Sequence, residues 1–127
     1  MIVVDTDIII DFSRDISAAV DTIDHLQGSG ETLAVSVVTA MELIIGCRTK
    51  KEMRQIESFL KQFQTIHLCH VISERALQLI RAFYHSHSLL IPDALIAASA
   101  VLTNSMLYTK NVRHFRMIPG LRVQRPY

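Results

Sequence analysis

Three carboxylates in this chain stand where a carboxylate is costly, and one amide completes their pattern. Asp5 ends the apolar run Ile2-Val3-Val4. Glu42 lies inside Val37-Val38-Thr39-Ala40-Met41-Glu42-Leu43-Ile44-Ile45. Asp93 opens Ile91-Pro92-Asp93-Ala94-Leu95-Ile96-Ala97-Ala98-Ser99-Ala100, and Asn111 follows Met106-Leu107-Tyr108-Thr109-Lys110. Acids are seldom buried unless they are paired or bound to a metal. Carboxylates brought together repel, and a hard divalent cation with oxygen ligands relieves the repulsion. Such an ion lowers the pKa of a bound water and stabilises charge on a phosphoryl group, which is the chemistry of a metal-dependent nuclease. Taken singly, each acid has a plainer reading. Asp5 caps the helix after it, Glu42 reaches water or Arg48 at a rim, and Asp93 is a first-turn anion favoured by the helix dipole. Taken together without metal, at least one should titrate above the ordinary value of about 4, raised by its neighbours' charge.

The elements that must position these residues alternate. Ile2-Val3-Val4 is β-branched with no polar alternation, as in a central parallel strand covered on both faces. Such a strand delivers Asp5 to the carboxyl end of the sheet, where open α/β folds place their sites. A short helix over 6–12 follows, then an amphipathic helix over 16–27 stopped by Gly28-Ser29-Gly30. Leu33-Ala34-Val35 predicts a strand. Ser36 or Thr39 then opens a helix to about Cys47, and Lys50–Phe63 predicts a further amphipathic helix. Ile66–Val71 predicts a strand, with a helix beginning at Ser73 and Glu74. Pro92 begins a small-residue helix to about Leu102, apolar all round and so central. Met106-Leu107-Tyr108 is the next strand, a turn covers 112–115, and a last strand lies near 122–124. Alternating strands and helices predict an α/β fold with a mostly parallel sheet and helices on both faces.

Length and composition set bounds. The chain has 127 residues, 50% hydrophobic and 20% charged, which fits one domain with its own core. A net charge of +1 excludes recognition of nucleic acid by bulk charge and leaves only a local basic patch. Arg14, Arg48, Lys50, Lys110, Arg113 and Arg116 are candidates for such a patch. Two cysteines, Cys47 and Cys69, without C-x-x-C spacing fit a reducing compartment rather than a disulfide scaffold. No run is long enough for a membrane span and no leader precedes the first strand, so a cytoplasmic location is expected. The histidines, including His67, His70, His85 and His87, match no structural zinc spacing.

The sequence resembles the PIN domain, and within it the VapC-type toxins of bacterial type II toxin–antitoxin pairs. The resemblance covers the whole chain, read as a single PIN-like domain over 1–127. "VVDTDIIIDF" resembles the family's opening strand with its first acid. "SVVTAMELIIG" resembles its Ser/Thr-rich approach to a Glu. "IPDALIAASA" resembles its third motif and is the most specific, and "LYTKNVRHF" with "IPGL" resembles its closing strand and turn. The resemblance implies a three-layer PIN-like fold and an endoribonuclease that uses Mg²⁺ or Mn²⁺ to cleave an RNA phosphodiester. It implies that Asp5, Glu42 and Asp93 hold the metal, and that Asn111 stands at a fourth catalytic position that is acidic in many relatives. Asp7 is a further carboxylate within reach of outer-sphere contact. Thr6 and Thr109 orient the acids or cap turns, and Ser36 shares that ambiguity. The implied partners are an RNA substrate, a cognate antitoxin that occludes the site, and a second copy in a homodimer. Two other readings stand beside this one. Asp5-Thr6-Asp7 after an apolar strand also opens a haloacid-dehalogenase-type phosphatase with Asp5 as nucleophile. A PIN-fold interaction module without turnover is the non-enzymatic reading, with Asn111 as a sign of decay.

Overall fold

Every strand of the sheet runs parallel to its neighbours. The computed structural model describes all 127 residues, Met1–Tyr127. The strands are β1 (Ile2–Val4), β2 (Leu33–Ser36), β3 (Gln64–Ile66), β4 (Met106–Tyr108) and β5 (Val123–Gln124), in the order β3-β2-β1-β4-β5. The helices are α1 (Thr6–Ser13), α2 (Ser17–Gly28), α3 (Val37–Ile45), α4 (Lys50–Leu60), α5 (His70–His87) and α6 (Ile91–Leu102). A 3-10 turn covers Val112–His114. The chain lays β2 and β3 on one side of β1, then crosses back to lay β4 and β5 on the other. The order therefore reverses at β1, the point where open α/β sheets place their sites beyond the carboxyl ends of the strands.

The unalternating apolar pattern of β1 is explained by two cores. Ile2 and Val4 point to one face, packing with Ile8, Ile9, Ile23, Leu26, Leu43 and Phe63. Val3 points to the other, into a cluster with Leu107, Phe115, Ile118 and the buried residues of α5 and α6. All three β1 residues are buried, as a strand covered on both sides requires. In α6, Ala94, Ile96, Ala97, Ala98, Ser99 and Ala100 are all buried. Small side chains let this helix lie close against α5 and the sheet, which fixes its first turn, and hence Asp93, tightly. No helix is long and apolar enough to cross a membrane.

Three boundaries differ from the sequence expectation. The strand expected over 66–71 is instead β3 at Gln64–Ile66, and α5 already begins at His70. Ile72, Ala76 and Leu79 are the buried face of α5, so the apolar residues after Cys69 follow helical rather than strand spacing. The helix expected to reach Phe63 ends at Leu60. Tight turns from Lys61 N–H to Ser58 O (3.3 Å) and from Phe63 N–H to Leu60 O (3.0 Å) close it. They drop Phe63 onto Phe12 and Phe59, ring centroids 6.2 and 6.0 Å away. Between the two helix starts offered for α3, the structure selects Ser36, whose hydroxyl accepts the Val38 N–H at 3.1 Å.

Candidate active site

Strand register builds the first half of the site. Val4 of β1 pairs with Tyr108 of β4, so the next residues, Asp5 and Thr109, stand side by side. The Asp5 N–H donates to Tyr108 O at 2.9 Å. Thr109 Oγ1 donates to Asp5 Oδ2 at 2.7 Å, while Thr6 N–H donates to Asp5 Oδ1 at 2.8 Å. One oxygen thus caps α1 and the other is oriented by β4, so capping and a site role coexist in one carboxyl. Asp5 and Thr109 are both buried.

The second half comes from β2 and α3. Val3 pairs with Ala34, which brings the end of β2 and the start of α3 beside Asp5. Ser36 is committed to capping α3, so its hydroxyl orients the helix rather than an acid. Thr39 and Glu42 are three residues apart on α3 and share a face. Both reach Thr6: the two threonine hydroxyls are 2.9 Å apart, and Thr6 Oγ1 donates to Glu42 Oε1 at 2.8 Å. With its proton on Glu42, the Thr6 oxygen is left to accept from Thr39. Glu42 is exposed, contrary to the apolar surroundings its sequence neighbours suggest. Those neighbours are themselves partly bare, Met41 at 52% and Ile45 at 82% exposure. No ion pair joins Arg48 to Glu42; the backbone N–H of Arg48 donates to Glu52 Oε2 at 2.7 Å. Glu42 instead lines one end of a cleft of about 590 Å³ that also takes in Arg14, Leu43, Ile56 and Phe59.

Asp93 arrives in the first turn of α6, half-buried, with His114 Nδ1 at 3.7 Å from its Oδ2. Asp7, in the first turn of α1, accepts the Lys110 N–H on Oδ2 at 3.0 Å. Its Oδ1 is buried with no partner. Asn111 is exposed at the same edge, and its N–H donates to Thr109 Oγ1 at 3.0 Å.

Burial, reinforced by charge, perturbs these acids. Burial first and the Asp7 charge second push Asp5 up to about 7, with Asp93 adding to the rise and the Thr109 and Thr6 bonds opposing it. Burial raises Asp7 as well, against the Lys110 N–H. Asp93 rises through burial; Glu42 and Asp7 reinforce the shift and His114 opposes it. The upward shift expected from crowding is present, but desolvation leads it and Asp7 is the strongest charge on Asp5. As they stand, no three His, Cys, Asp or Glu side chains are grouped to hold an ion together. The charges of Asp7 and Asp93 nevertheless reach Asp5, and those of Glu42 and Asp7 reach Asp93. These acids offer oxygen donors only, including the unpartnered buried oxygen of Asp7. That donor chemistry suits a hard divalent cation.

Of the residues expected from sequence, Asp5, Glu42 and Asp93 come to one edge with Thr6 and Thr109. Lys110 is not a free phosphate contact, because its Nζ sits 2.6 Å from Asp11 Oδ2. Sequence reasoning passed over Thr39, His114 and Asp11. The first and last carry a local signal: Thr39 is one turn before Glu42, and Asp11 one turn after Asp7.

The family model described as "PIN domain" matches residues 2–120. The chain is 38% identical over 123 residues to "Ribonuclease VapC10" of Mycobacterium tuberculosis, covering 96% of this chain and 91% of that protein. It is 34% identical over 128 residues to "Ribonuclease VapC19" of the same organism, covering 100% of both. Among solved structures, "Toxin-antitoxin complex from Klebsiella pneumoniae" superposes with a TM-score of 0.81 at 30% identity, covering 100% of this chain and 98% of that one.

Proposed function

The chain belongs to the PIN-domain family, and from that premise we propose that it is a metal-dependent endoribonuclease, the toxin of a type II toxin–antitoxin pair. The observation that carries this reading is geometric: Asp5 after β1, Asp7 on α1 and Glu42 on α3 are joined through Thr6 and the 109–110 segment, with Asp93 of α6 at the same edge. Family membership removes the haloacid-dehalogenase reading of Asp5.

Asp5, Glu42 and Asp93 would hold the divalent cation, Mg²⁺ or Mn²⁺, directly or through waters. When bound, the ion lowers the pKa of a water and stabilises the charge that develops on the RNA phosphodiester. The protein's own part is preorganisation. Thr109 keeps Asp5 turned to the edge, the Thr39–Thr6 pair holds Glu42 Oε1, and the tight seat of α6 fixes Asp93. Asn111 stands at the same edge as a neutral amide, so it brings no further charge to the site. Exposed Glu42 and its cleft give a substrate phosphate a way in, with Arg14 as the cation among the residues that line it. The partners are RNA, a cognate antitoxin that covers the site, and a second copy in a homodimer, in the cytoplasm, with residues 1–127 as one domain.

The test is cleavage of RNA by the purified chain with Mg²⁺ or Mn²⁺ and with chelator. Metal-dependent endonucleolytic products are expected. A folded chain that binds Mn²⁺ poorly and leaves RNA intact supports the non-catalytic module instead.

A further inference from the structure

Lys110 has every polar group engaged. Its N–H donates to Asp7 Oδ2 at 3.0 Å. Its carbonyl accepts from Arg125 Nη1 at 3.1 Å. Its Nζ is 2.6 Å from Asp11 Oδ2 and 5.9 Å from the centre of the Tyr127 ring. The Tyr127 hydroxyl donates to that same Asp11 oxygen at 2.8 Å. We propose that Asp11 and Tyr127 are positioning residues of the acidic site, acting through Lys110 on the hydrogen bonds that hold Asp5 and Asp7. The proposal rests on the metal-site reading above.

Geometry makes the connection. Asp7 and Asp11 are four residues apart on α1 and so lie one above the other. Lys110 spans that step, with its backbone on Asp7 and its ammonium on Asp11. On one side of it Thr109 orients Asp5, and on the other the Asn111 N–H returns to Thr109 Oγ1 at 3.0 Å. The segment at 109–111 is therefore docked on α1 as a unit, and Arg125 and Tyr127 clamp it from the tail that follows β5. The clamp is electrostatically coherent. The Lys110 hydrogen bond holds the Asp11 carboxyl below its ordinary range. Burial and then Asp11 push the Tyr127 hydroxyl above its own, so it remains a donor.

Two consequences would follow from opening the clasp, and both act against a bound cation. Segment 109–111 would be free to lift, taking Thr109 off Asp5 and the Lys110 N–H off Asp7. The ammonium, released from Asp11, would be free to pair with Asp7 or Asp5 and compete with the added metal. Asp11 thus holds the nearest lysine one helical turn away from the acids.

Tyr127→Phe keeps the ring and removes only the hydroxyl, Asp11→Asn removes the charge, and Lys110→Met removes the ammonium. Mn²⁺ binding to each full-length variant is measured by the electron paramagnetic resonance signal of free Mn²⁺, alongside kcat and KM for RNA. Tyr127→Phe and Asp11→Asn should raise the Mn²⁺ dissociation constant about tenfold, the scale on which outer-shell partners act. They should lower kcat at limiting Mn²⁺, with recovery at excess Mn²⁺ and an unchanged KM for RNA. A purely structural role would instead reduce the number of binding-competent molecules at an unchanged dissociation constant. In a Lys110→Met background the Tyr127→Phe effect should disappear, because the clasp acts through that lysine. Should Asp11→Asn not fold, the Tyr127→Phe pair of measurements decides the matter. Dissociation constants within about twofold of the parent, or a Tyr127→Phe effect that survives in Lys110→Met, overturn the clasp while leaving the metal site standing. A parent chain that binds no Mn²⁺ and cuts no RNA overturns the metal site, and the clasp with it.

Discussion

Asp5 divides its carboxyl between a helix cap and the site, and only the second depends on its charge. Asp5→Asn and Asp93→Asn keep shape and each remove one ligand charge. Each should fold yet lose metal-dependent RNA cleavage by at least about a hundredfold. Circular dichroism with a cleavage assay checks this, and a folded variant cutting at the parent rate removes that residue from the site. The raised pKa of Asp5 also has a sign for stability. Its folded-state value is about 7 against an ordinary 3.8, so between those pH values the unfolded chain releases a proton that the folded chain keeps. In chelator, stability from this group is greatest below about 4, falls as pH rises and levels off above about 7, a change of order a few kcal/mol. Thermal melts across that range should show the decline, and Asp5→Asn should flatten it. An equal slope in the two proteins would show that Asp5 is not the group responsible.

Helix α3 is where local and tertiary structure meet. Ser36 starts it, and that start puts Thr39 and Glu42 on the face that meets Thr6. Ser36→Ala removes the cap and should lower stability by about 1 kcal/mol. Urea unfolding reads this loss, and an unchanged midpoint would show that packing alone holds the start of α3. Glu42→Gln keeps the Thr6 contact but removes the charge. Divalent metal binds the native cluster and hardly the unfolded chain, so a hundredfold excess over the dissociation constant stabilises the parent by about 2.7 kcal/mol. That increment should shrink in Glu42→Gln and should fade in acid as carboxylates take up protons. Melts with Mn²⁺ and with chelator measure it, and equal increments in parent and variant would place Glu42 outside the site.

At the scale of the whole molecule, several large apolar side chains stay bare on the surface. Leu77, Tyr84, Leu90 and Ile91 are exposed on α5 and at the start of α6, at 50%, 52%, 57% and 69%. Contiguous patches of this kind mark interfaces. The chain should therefore sediment as a dimer, and a monomer at micromolar concentration would count against the expected homodimer. Expressed alone, it should slow growth, and co-expression of its cognate antitoxin should relieve the effect. Unimpaired growth at confirmed expression of the folded chain would argue against the toxin role without touching the fold.

How much of this was legible in the chain differs by feature. The β-branched run into Asp5, the Pro-Asp start of a small, apolar helix and a lone Glu among apolar helix residues are local patterns, and local patterns survive into structure. They were enough to predict an α/β fold with a parallel sheet and to nominate Asp5, Glu42 and Asp93. The strand at 66–71 failed because a short apolar run suits a strand or a helix start equally until its buried face is known. Glu42 looked buried because its sequence neighbours are apolar, yet Met41 and Ile45 turn outward once α3 is packed. The order of causes at Asp5, burial before charge, needs the packed depth of β1, and the prominence of Asp7 needs its orientation on α1. The Asp11–Lys110–Tyr127 clasp joins residues separated by 99 and 116 positions. Composition and periodicity carry no trace of such a pairing, because only sheet register and the docking of the last strand bring those three side chains within reach.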